Sequence, residues 1–258
     1  MGIRDRGIEI KTPDQVALMR RAGLVVAETL DMLRQRIAAG MTTRDLDTLA
    51  EAYIRDSGAT PSFLGYHGFP ASLCTSVNDE VVHGIPGDRI LKEGDLISID
   101  CGAIVDGWHG DAATTLALGE VPADQLALLE VCEEALGRGI AAARLDGRVS
   151  DISAAVEAHV RASGSYGIVQ EYVGHGIGST MHQQPDVPNC GRSGRGPRLV
   201  PGLALAVEPM ITLGSPETDV LADDWTVVTR DGSRAAHFEH TFVLTDDGPW
   251  VLTLPDDP

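Results

Sequence analysis

Apolar side chains recur every three or four positions in four stretches of the chain, a spacing that predicts four amphipathic helices in two pairs. The first helix begins at the capping sequence Thr12-Pro13-Asp14-Gln15 and its apolar pattern ends before Gly40. The second helix is predicted over 42–58. The same plan returns later as a long helix over 122–143 and a shorter one over 151–162.

Strand-like runs occupy much of the remaining sequence. Residues 96–104 and 110–118 are largely apolar and flank Asp106-Gly107, a dipeptide typical of two-residue hairpin turns. Further strands are predicted over 203–213, 225–229, 236–244 and 250–254. The segment 182–200, rich in Pro, Gly and Arg, is predicted to be the longest irregular stretch. Together these elements indicate an α+β fold.

The two helix pairs also resemble each other in sequence. At an offset of 106 residues, six of the 17 positions from 42 to 58 are identical, the first being Asp45 and Asp151. Amphipathic helices often look alike, which is the simpler explanation, but a duplicated helix–helix–strand unit also accounts for the match. We favour duplication and predict a single domain over 1–258, with a short extension at 1–11. Its halves would be roughly 12–118 and 121–254, with a site between them.

Charge and cysteine content narrow the class of protein. The 258 residues include 38 Asp and Glu against 20 Lys and Arg, a formal net charge of −18. We therefore expect no direct binding to nucleic acids or to anionic membranes. No run approaches the ~20 apolar residues of a membrane span, and we expect no secretory signal. Four separated cysteines without a CxxC motif indicate reduced thiols, so a cytoplasmic location is expected.

Four carboxylates interrupt the apolar, strand-like runs: Asp100, Asp111, Glu208 and Glu239. A buried carboxylate costs free energy unless a cation or several hydrogen bonds compensate its charge. Any one of these acids alone is more simply explained as a salt-bridged or backbone-bonded side chain. All four together, with few Lys or Arg nearby in the sequence, favour a metal site.

The predicted hairpin allows a geometric test of this idea. With the Asp-Gly dipeptide as its turn, paired residue numbers sum to 213, so Asp111 lies opposite Gly102 and Asp100 lies two residues along the same face. Diagonal neighbours have backbones about 7–8 Å apart, which allows two carboxylates to share one metal or bridge two. Oxygen-rich ligation with one imidazole, for which His175 is the candidate, suits Mn²⁺, Fe²⁺ or Co²⁺, and Zn²⁺ is also compatible.

In chain order, these acids and the histidine resemble the ligand set of a known family. The segments NDEVVHGIP (78–86), GHGIG (174–178), EPM (208–210) and FEHT (238–241) are similar to signature segments of the methionine aminopeptidases. The resemblance covers about residues 10–254. It implies the pita-bread fold, in which pseudo-two-fold duplicated units surround a curved antiparallel sheet. Only 25 residues separate His182 from Glu208, so the chain resembles the short bacterial type I form, which lacks the type II insertion.

The resemblance implies a role for each polar residue of the expected site. Five residues would hold two divalent ions (Mn, Fe, Co or Zn): Asp100, Asp111, His175, Glu208 and Glu239. Asp111 and Glu239 would bridge the two ions. Glu208 would also act as the general base, and His83 and His182 would contact the scissile amide and help stabilise the tetrahedral intermediate.

The same resemblance implies a pocket for a methionine side chain. Its walls would be Phe63, Tyr66, Phe69, Cys74 and Trp225. Aromatic residues more commonly pack cores, but a narrow apolar pocket also suits an unbranched thioether. Two positions depart from the family: Met181 stands where many relatives carry Phe, and His237 where Gln is frequent.

The implied activity is removal of the initiator methionine from nascent proteins with a small second residue. A hydroxide bound to the two ions would attack the peptide carbonyl. Two alternatives remain open: a related Xaa-Pro aminopeptidase or prolidase-like peptidase with the same ligands, and a non-catalytic binding module that keeps the fold. The expected partners are N-terminal Met peptides and the ribosome that presents them, although the sequence shows no basic patch for a ribosome contact. We expect a monomer.

Overall fold

Residues 7–255 are described by a computed structural model, so the predicted extension at 1–11 is seen from residue 7 and its first six residues lie outside the described part. The helices are α1 Pro13–Arg36, α2 Thr43–Asp56, α3 Ala123–Ala141 and α4 Val149–Ser163, with a short 3₁₀ turn at Tyr66–Gly68. The strands are β1 Thr60–Pro61, β2 Leu73–Val77, β3 Glu80–Val82, β4 Leu96–Val105, β5 Trp108–Ala117, β6 Gly167–Ile168, β7 Gly174–Gly176, β8 Gln183–Val187, β9 Ala204–Val207, β10 Met210–Thr212, β11 Thr218–Val220, β12 Val227–Thr229, β13 Ala235–His237, β14 Glu239–Thr245 and β15 Gly248–Val251.

The four predicted helices are confirmed, and their starts follow from local chemistry. At α1 the Thr12 hydroxyl accepts a hydrogen bond from the N–H of Gln15, whose side-chain oxygen accepts one from the N–H of Thr12. Thr42 and Asp45 make the same reciprocal pair at α2. Such capping boxes satisfy N–H groups that a helix start leaves unpaired. No helix in residues 7–255 is long and apolar enough to cross a membrane.

A nine-stranded antiparallel sheet, counted over the described residues, forms the centre of the fold. Seven strands run in the order β1-β4-β5-β14-β9-β7-β8, while β2 pairs with β4 and β15 with β14. The helix pairs cover different parts of this sheet. Leu33 of α1 and Leu46 of α2 share a core with Ile97 of β4. A second core joins Leu128 of α3 to Leu205 of β9.

Two predicted strands each divide into two, because the chain changes sheet inside them. The run 203–213 divides at Glu208-Pro209 into β9 and β10, and the run 236–244 divides at Phe238 into β13 and β14. β9 and β14 belong to the large sheet, whereas β10 pairs with β13 and β6 in a three-stranded sheet. Pro209 has no N–H to continue a ladder. Each break therefore falls next to one of the glutamates in the proposed ligand set.

The prediction of an irregular segment over 182–200 is wrong at its start. Gln183–Val187 forms β8, which pairs with β7 at one end of the strand order. Gln184 and Asp186 are exposed, whereas Pro185 and Val187 are buried. This alternation is typical of a strand with one covered face. Because β8 is an edge strand of the sheet, it tolerates a proline.

The two predicted halves meet at several places, and one of them, where β5 lies beside the β13–β14 segment, is a seam held by two threonines. The Thr241 hydroxyl accepts a hydrogen bond from the N–H of Asp111 at 3.1 Å and donates one to its carbonyl at 2.8 Å. The Thr115 hydroxyl makes the same two contacts with the backbone of His237, at 2.9 and 2.7 Å. Side chains thus satisfy backbone groups at both ends of the seam.

Candidate active site

The β4–β5 hairpin places the first two predicted ligands on one face. Its turn residues Asp106 and Gly107 have φ of 49° and 83°, the left-handed conformation of a two-residue hairpin turn. Gly102 pairs with Asp111, which confirms the predicted register. Asp100 and Asp111 are therefore diagonal neighbours on adjacent strands.

Three neighbouring strands bring the other predicted ligands alongside. Glu239 begins β14, Glu208 directly follows β9, and His175 is the middle residue of β7. These strands follow β5 in the order β5-β14-β9-β7. Because neighbouring strands lie only about 4.8 Å apart, side chains at matched positions on one face converge. Residues scattered over more than half the chain thus reach one place.

His175 directs one ring nitrogen toward the carboxylates. Its Nε2 lies 3.6 Å from Oε1 of Glu208 and 4.0 Å from Oε1 of Glu239. Its Nδ1 lies 3.0 Å from the carbonyl of Gly176, to which the Nδ1–H tautomer donates. This leaves the Nε2 lone pair free, as in a metal-ligating imidazole. One ligand atom from each of Asp111, His175 and Glu239 lies within 4.8 Å of the other two.

Within the described part of the chain, the four acids of this cluster lie together without cationic groups that would stabilise their charged forms. None of the side chains that line this cavity is a Lys or Arg, and one buried oxygen in each of Asp100, Asp111 and Glu239 has no hydrogen-bond partner. Burial raises the pKa of Asp100 to about 7. Burial first, and neighbouring carboxylates second, raise the pKa of Asp111, Glu208 and Glu239 well above the usual range. Acids of this kind beside a free imidazole nitrogen fit divalent cations.

All twelve side chains predicted for the site line one cavity of about 140 Å³, together with Met181. The carboxylate end of this cavity consists of Asp100, Asp111, His175, Glu208 and Glu239. The aromatic end consists of Phe63, Tyr66, Phe69, Cys74, Met181 and Trp225, which pack together as a small core. The rings of Phe69 and Trp225 meet edge to face, with centroids 5.1 Å apart. Burial raises the pKa of the Cys74 thiol well above its usual value. Cys74 is therefore a poor nucleophile, and its side chain is part of the cavity wall.

Two neutral histidines also line the cavity. The His182 ring lies 4.2 Å from that of His175, centroid to centroid, and its Nδ1 is 2.8 Å from the Tyr66 hydroxyl. The His83 ring stands edge to face with Trp225, centroids 6.4 Å apart. Burial, with a smaller contribution from His182, lowers the pKa of His83 to about 4. Desolvation also lowers the pKa of His182. Near pH 7 each imidazole can therefore donate one hydrogen bond without carrying charge.

A second cavity, of about 490 Å³, continues from the first and was not predicted from the sequence. It shares His83, His175, His182 and Glu208 with the first cavity. Beyond them it passes Tyr172 and the exposed acids Glu171 and Asp186. Its far wall comes from β8 and the segment before β7, which the sequence analysis did not place near the site.

His237 is a further residue that sequence analysis missed as part of the site. It is buried, and its Nε2, which has no hydrogen-bond partner, lies 3.8 Å from Oε2 of Glu208 and 3.9 Å from Oε2 of Glu239. Burial lowers its pKa to about 3. Its position two residues before Glu239 in a strand-like run was the available signal, because such residues share a face.

Comparison with known proteins places this geometry in a family. The chain matches metallopeptidase family M24 over residues 17–246. A methionine aminopeptidase from Clostridium acetobutylicum is 51% identical over 248 residues, 96% of this chain and 99% of that protein. The crystal structure of methionine aminopeptidase from Thermotoga maritima matches with a TM-score of 0.94 at 40% identity, covering 96% of this chain and all of that one. The α+β pita-bread architecture expected from the resemblance is confirmed.

A more distant likeness shows how widely the fold is used. Prolidase from Pyrococcus furiosus matches with a TM-score of 0.79 at 21% identity, and the match covers 99% of this chain but 68% of that one. At this identity the likeness concerns the fold alone. The family match spans most of the chain and includes all five candidate ligands. The chain belongs to metallopeptidase family M24.

Proposed function

We propose that this protein is a methionine aminopeptidase that removes the initiator Met from nascent chains with a small second residue. The observation that carries the proposal is the single cavity joining five candidate metal ligands to an apolar pocket. A free α-amino group and a scissile amide could reach the carboxylate end while the Met side chain fills the aromatic end. The full-length relatives described above, which bear the same name, support this reading.

Two divalent ions, drawn from Mn²⁺, Fe²⁺, Co²⁺ or Zn²⁺, complete the proposed site. Asp100 would bind one ion, His175 and Glu208 the other, and Asp111 and Glu239 both. Four carboxylates supply four negative charges, which two divalent cations would balance. Such ions, when bound, polarise a carbonyl and lower the pKa of a coordinated water.

Glu208 is proposed to take the proton of the attacking water. It lines both cavities, and burial together with Asp100 and Asp111 raises the pKa of its carboxylate, which suits a group that must accept a proton. His83 and His182 would donate hydrogen bonds to the scissile amide as negative charge develops on it. Both rings are neutral before reaction, so no buried cation has to be removed.

The aromatic end would hold the substrate's methionine. Edges of Phe69 and Trp225 and the thioether of Met181 offer polarisable contacts to a second thioether. The rest of the peptide would leave through the second cavity, past His83 and His182. We further propose a monomeric cytoplasmic enzyme, one catalytic domain of two duplicated halves, that meets its substrates near the ribosome.

The decisive experiment is a peptide assay in a panel of divalent ions. Metal-stripped protein is supplied with Mn²⁺, Fe²⁺, Co²⁺ or Zn²⁺ and given Met-Gly-Met, Met-Leu-Met and Ala-Pro-Met, with the Asp111→Asn variant as the matched control. We expect release of Met from Met-Gly-Met, far slower release from Met-Leu-Met, and none by the variant. Preferred cleavage before proline would instead assign an Xaa-Pro peptidase. Metal binding without turnover of any peptide would assign a binding module.

A further inference from the structure

Residues 9–11 lie against the loop that joins β7 to β8, residues 177–182. The other side of this short segment is fixed to the start of β9. Ile10 forms an isolated antiparallel bridge with Leu203, and the N–H of Lys11 donates to the carbonyl of Gly202 at 2.8 Å. The segment therefore connects a central strand of the sheet to the loop.

The carboxylate of Glu9 is held by groups on both sides of the loop tip. It accepts hydrogen bonds from the N–H of Ser179 at 3.1 Å, from the Ser179 hydroxyl at 2.7 Å and from Nε2 of Gln183 at 2.9 Å. Burial acts to raise the pKa of Glu9, but these hydrogen bonds outweigh it and the pKa lies below its usual value. Glu9 thus ties Ser179 to Gln183, which bracket residues 180–182.

Lys11 completes this network from a buried position. Its Nζ donates to Oε1 of Gln183 at 3.2 Å and to the carbonyl of Glu9 at 3.1 Å, and lies 3.5 Å from the Glu9 carboxylate. The side chain is 1% exposed. Burial lowers the pKa of Lys11 to about 8, against the opposing effect of Glu9. Gly178 packs so closely on this network that a Cβ there would clash with the Glu9 carboxylate and with the end of the Lys11 side chain.

The loop held in this way carries two residues of the proposed site. Met181 lines the aromatic end, and His182 lines both cavities. The His182 side chain is open to solvent, and its ring is oriented through Nδ1 and the Tyr66 hydroxyl. Where the ring can reach therefore depends on where the loop backbone is held. Displacements of about 1 Å at such a group are enough to cost a large part of the rate.

We infer that Glu9 and Lys11 are positioning residues that hold His182 at the scissile amide through Ser179 and Gln183. This inference rests on the proposed function, because it assigns His182 a part in the reaction. It gives the segment before the first helix a role in turnover as well as in packing. A Met in place of Lys11 keeps the volume but removes one partner of the Glu9 carboxylate, which lowers stability. Because Glu9 is 31% exposed and keeps its hydrogen bonds from Ser179 and Gln183, we expect the variant to remain folded, which thermal melting checks before kinetics are measured.

The test is a double-mutant cycle on the metal-loaded enzyme with Met-Gly-Met as substrate. Lys11→Met and Glu9→Gln are each measured in the wild-type background and in the His182→Ala background. Lys92→Met serves as the control, since Lys92 is the chain's other lysine and is exposed. We expect Lys11→Met to lower kcat about tenfold with a smaller change in KM, and to change kcat less than twofold once His182 is absent. Lys92→Met should have no effect.

A spectroscopic readout keeps the inference testable without turnover. The Cε1–Hε1 signals of the eight histidines are recorded by NMR, and the His182 signal is assigned by its loss in His182→Ala. Lys11→Met and Glu9→Gln should shift or broaden the His182 signal and leave that of His240 in place. Failure of the wild type to cleave any Met peptide would overturn the proposed function. A His182 signal that moves in the two variants would still show that Glu9 and Lys11 position the His182 ring.

Three results would overturn the inference itself. The first is an equal loss of kcat from Lys11→Met in both backgrounds, which would indicate a structural role alone. The second is an unchanged kcat in the wild-type background. The third is an unmoved His182 signal in both variants. Each of these can occur with the aminopeptidase activity intact, so they are separate from failure of the proposed function.

Discussion

The two ends of the cavity are stabilised in opposite ways. The aromatic end needs no charged partner, because Phe69, Met181 and Trp225 are apolar and pack against one another along the wall of the cavity. The carboxylate end leaves buried oxygens of Asp111 and Glu239 without a hydrogen bond. Apolar packing is favourable on folding, whereas gathering like charges in a buried place is not. One end is therefore made by the chain alone, and the other is completed by cations.

This difference separates the two tasks of the proposed enzyme. Changes at the carboxylate end should alter metal binding and kcat, while changes at the aromatic end should alter KM and leave the metal in place. This division of tasks is wrong if a change at the aromatic end weakens metal binding, or if a change at the carboxylate end alters KM alone. Four measurements examine it, beginning with the largest expected effect.

Asp111→Asn should lower kcat/KM for Met-Gly-Met at least a thousandfold, which corresponds to about 4 kcal/mol. The amide keeps the shape but loses the charge that two cations would share, so calorimetry should show weaker Mn²⁺ binding. The metal-free variant should melt at a higher temperature than the metal-free wild type, because an amide is neutral without taking up the proton that a buried carboxylate needs. Full peptidase activity in this variant would rule out the two-metal proposal.

The metal-free protein should lose stability as pH rises from 6.5 to 8. Carboxylates whose pKa is raised, such as Asp111 and Glu239, keep protons that the unfolded chain has released, so the folded state is disfavoured as pH increases. The slope of stability against pH reports how many protons the folded state retains, at about 1.4 kcal/mol per pH unit for each proton.

Buried groups whose pKa values are lowered have the opposite effect on stability, and they set the limits of the interval from pH 6.5 to 8. Buried histidines such as His175, with pKa about 3, favour folding as pH rises only up to their unfolded value of 6.5, and Lys11 does so only above about 8. Urea denaturation at fixed temperature, with and without Mn²⁺, measures the effect. A metal-free stability that stays level across the window would show that the carboxylate end is compensated within the chain.

Trp225→Ala should raise KM about tenfold, or roughly 1.4 kcal/mol, with kcat and Mn²⁺ affinity nearly unchanged. The substitution removes the ring that faces Phe69 and opens the wall of the aromatic end. Steady-state kinetics and calorimetry on the same preparation give both quantities. A loss of metal affinity comparable to that of Asp111→Asn would show that the ends are coupled.

Met181→Phe should have the smallest effect, a change in KM within about threefold. Two large apolar side chains of similar volume usually exchange at low cost. The comparison is made on Met-Gly-Met and on a norleucine analogue. A tenfold change would mean that Met181 shapes the pocket in a way its size does not explain.

The hairpin and its two acids were predictable because their determinants are local. The Asp-Gly turn sets the register of β4 and β5, and the register places Asp111 opposite Gly102. Helix starts at Thr12 and Thr42 were equally predictable from the capping residues. The candidate site followed from acids in apolar strands together with the family resemblance, and the structure gathers all twelve residues around one cavity.

The breaks within strands were not predictable in the same way. The apolar pattern continues through Glu208-Pro209 and through Phe238, yet the chain leaves one sheet for another at both places. Sheet membership depends on partners far away in sequence, which a local pattern does not contain. Lys11 was missed for a similar reason: its burial depends on Gln183, which lies 172 residues further along.

The threonine hydrogen bonds along the seam suggest that the protein could be split into two fragments that reassociate. Thr241 and Thr115 join the first half to the second along the line where β5 meets the β13–β14 segment, and each half keeps a helix pair that packs on its own part of the sheet. Asp111 and Glu239 stand on opposite sides of that line. Two fragments made by cutting the chain near residue 120 should therefore reassociate more tightly when a divalent cation is added. A divalent cation bound at the seam would then control the reassociation of the two fragments.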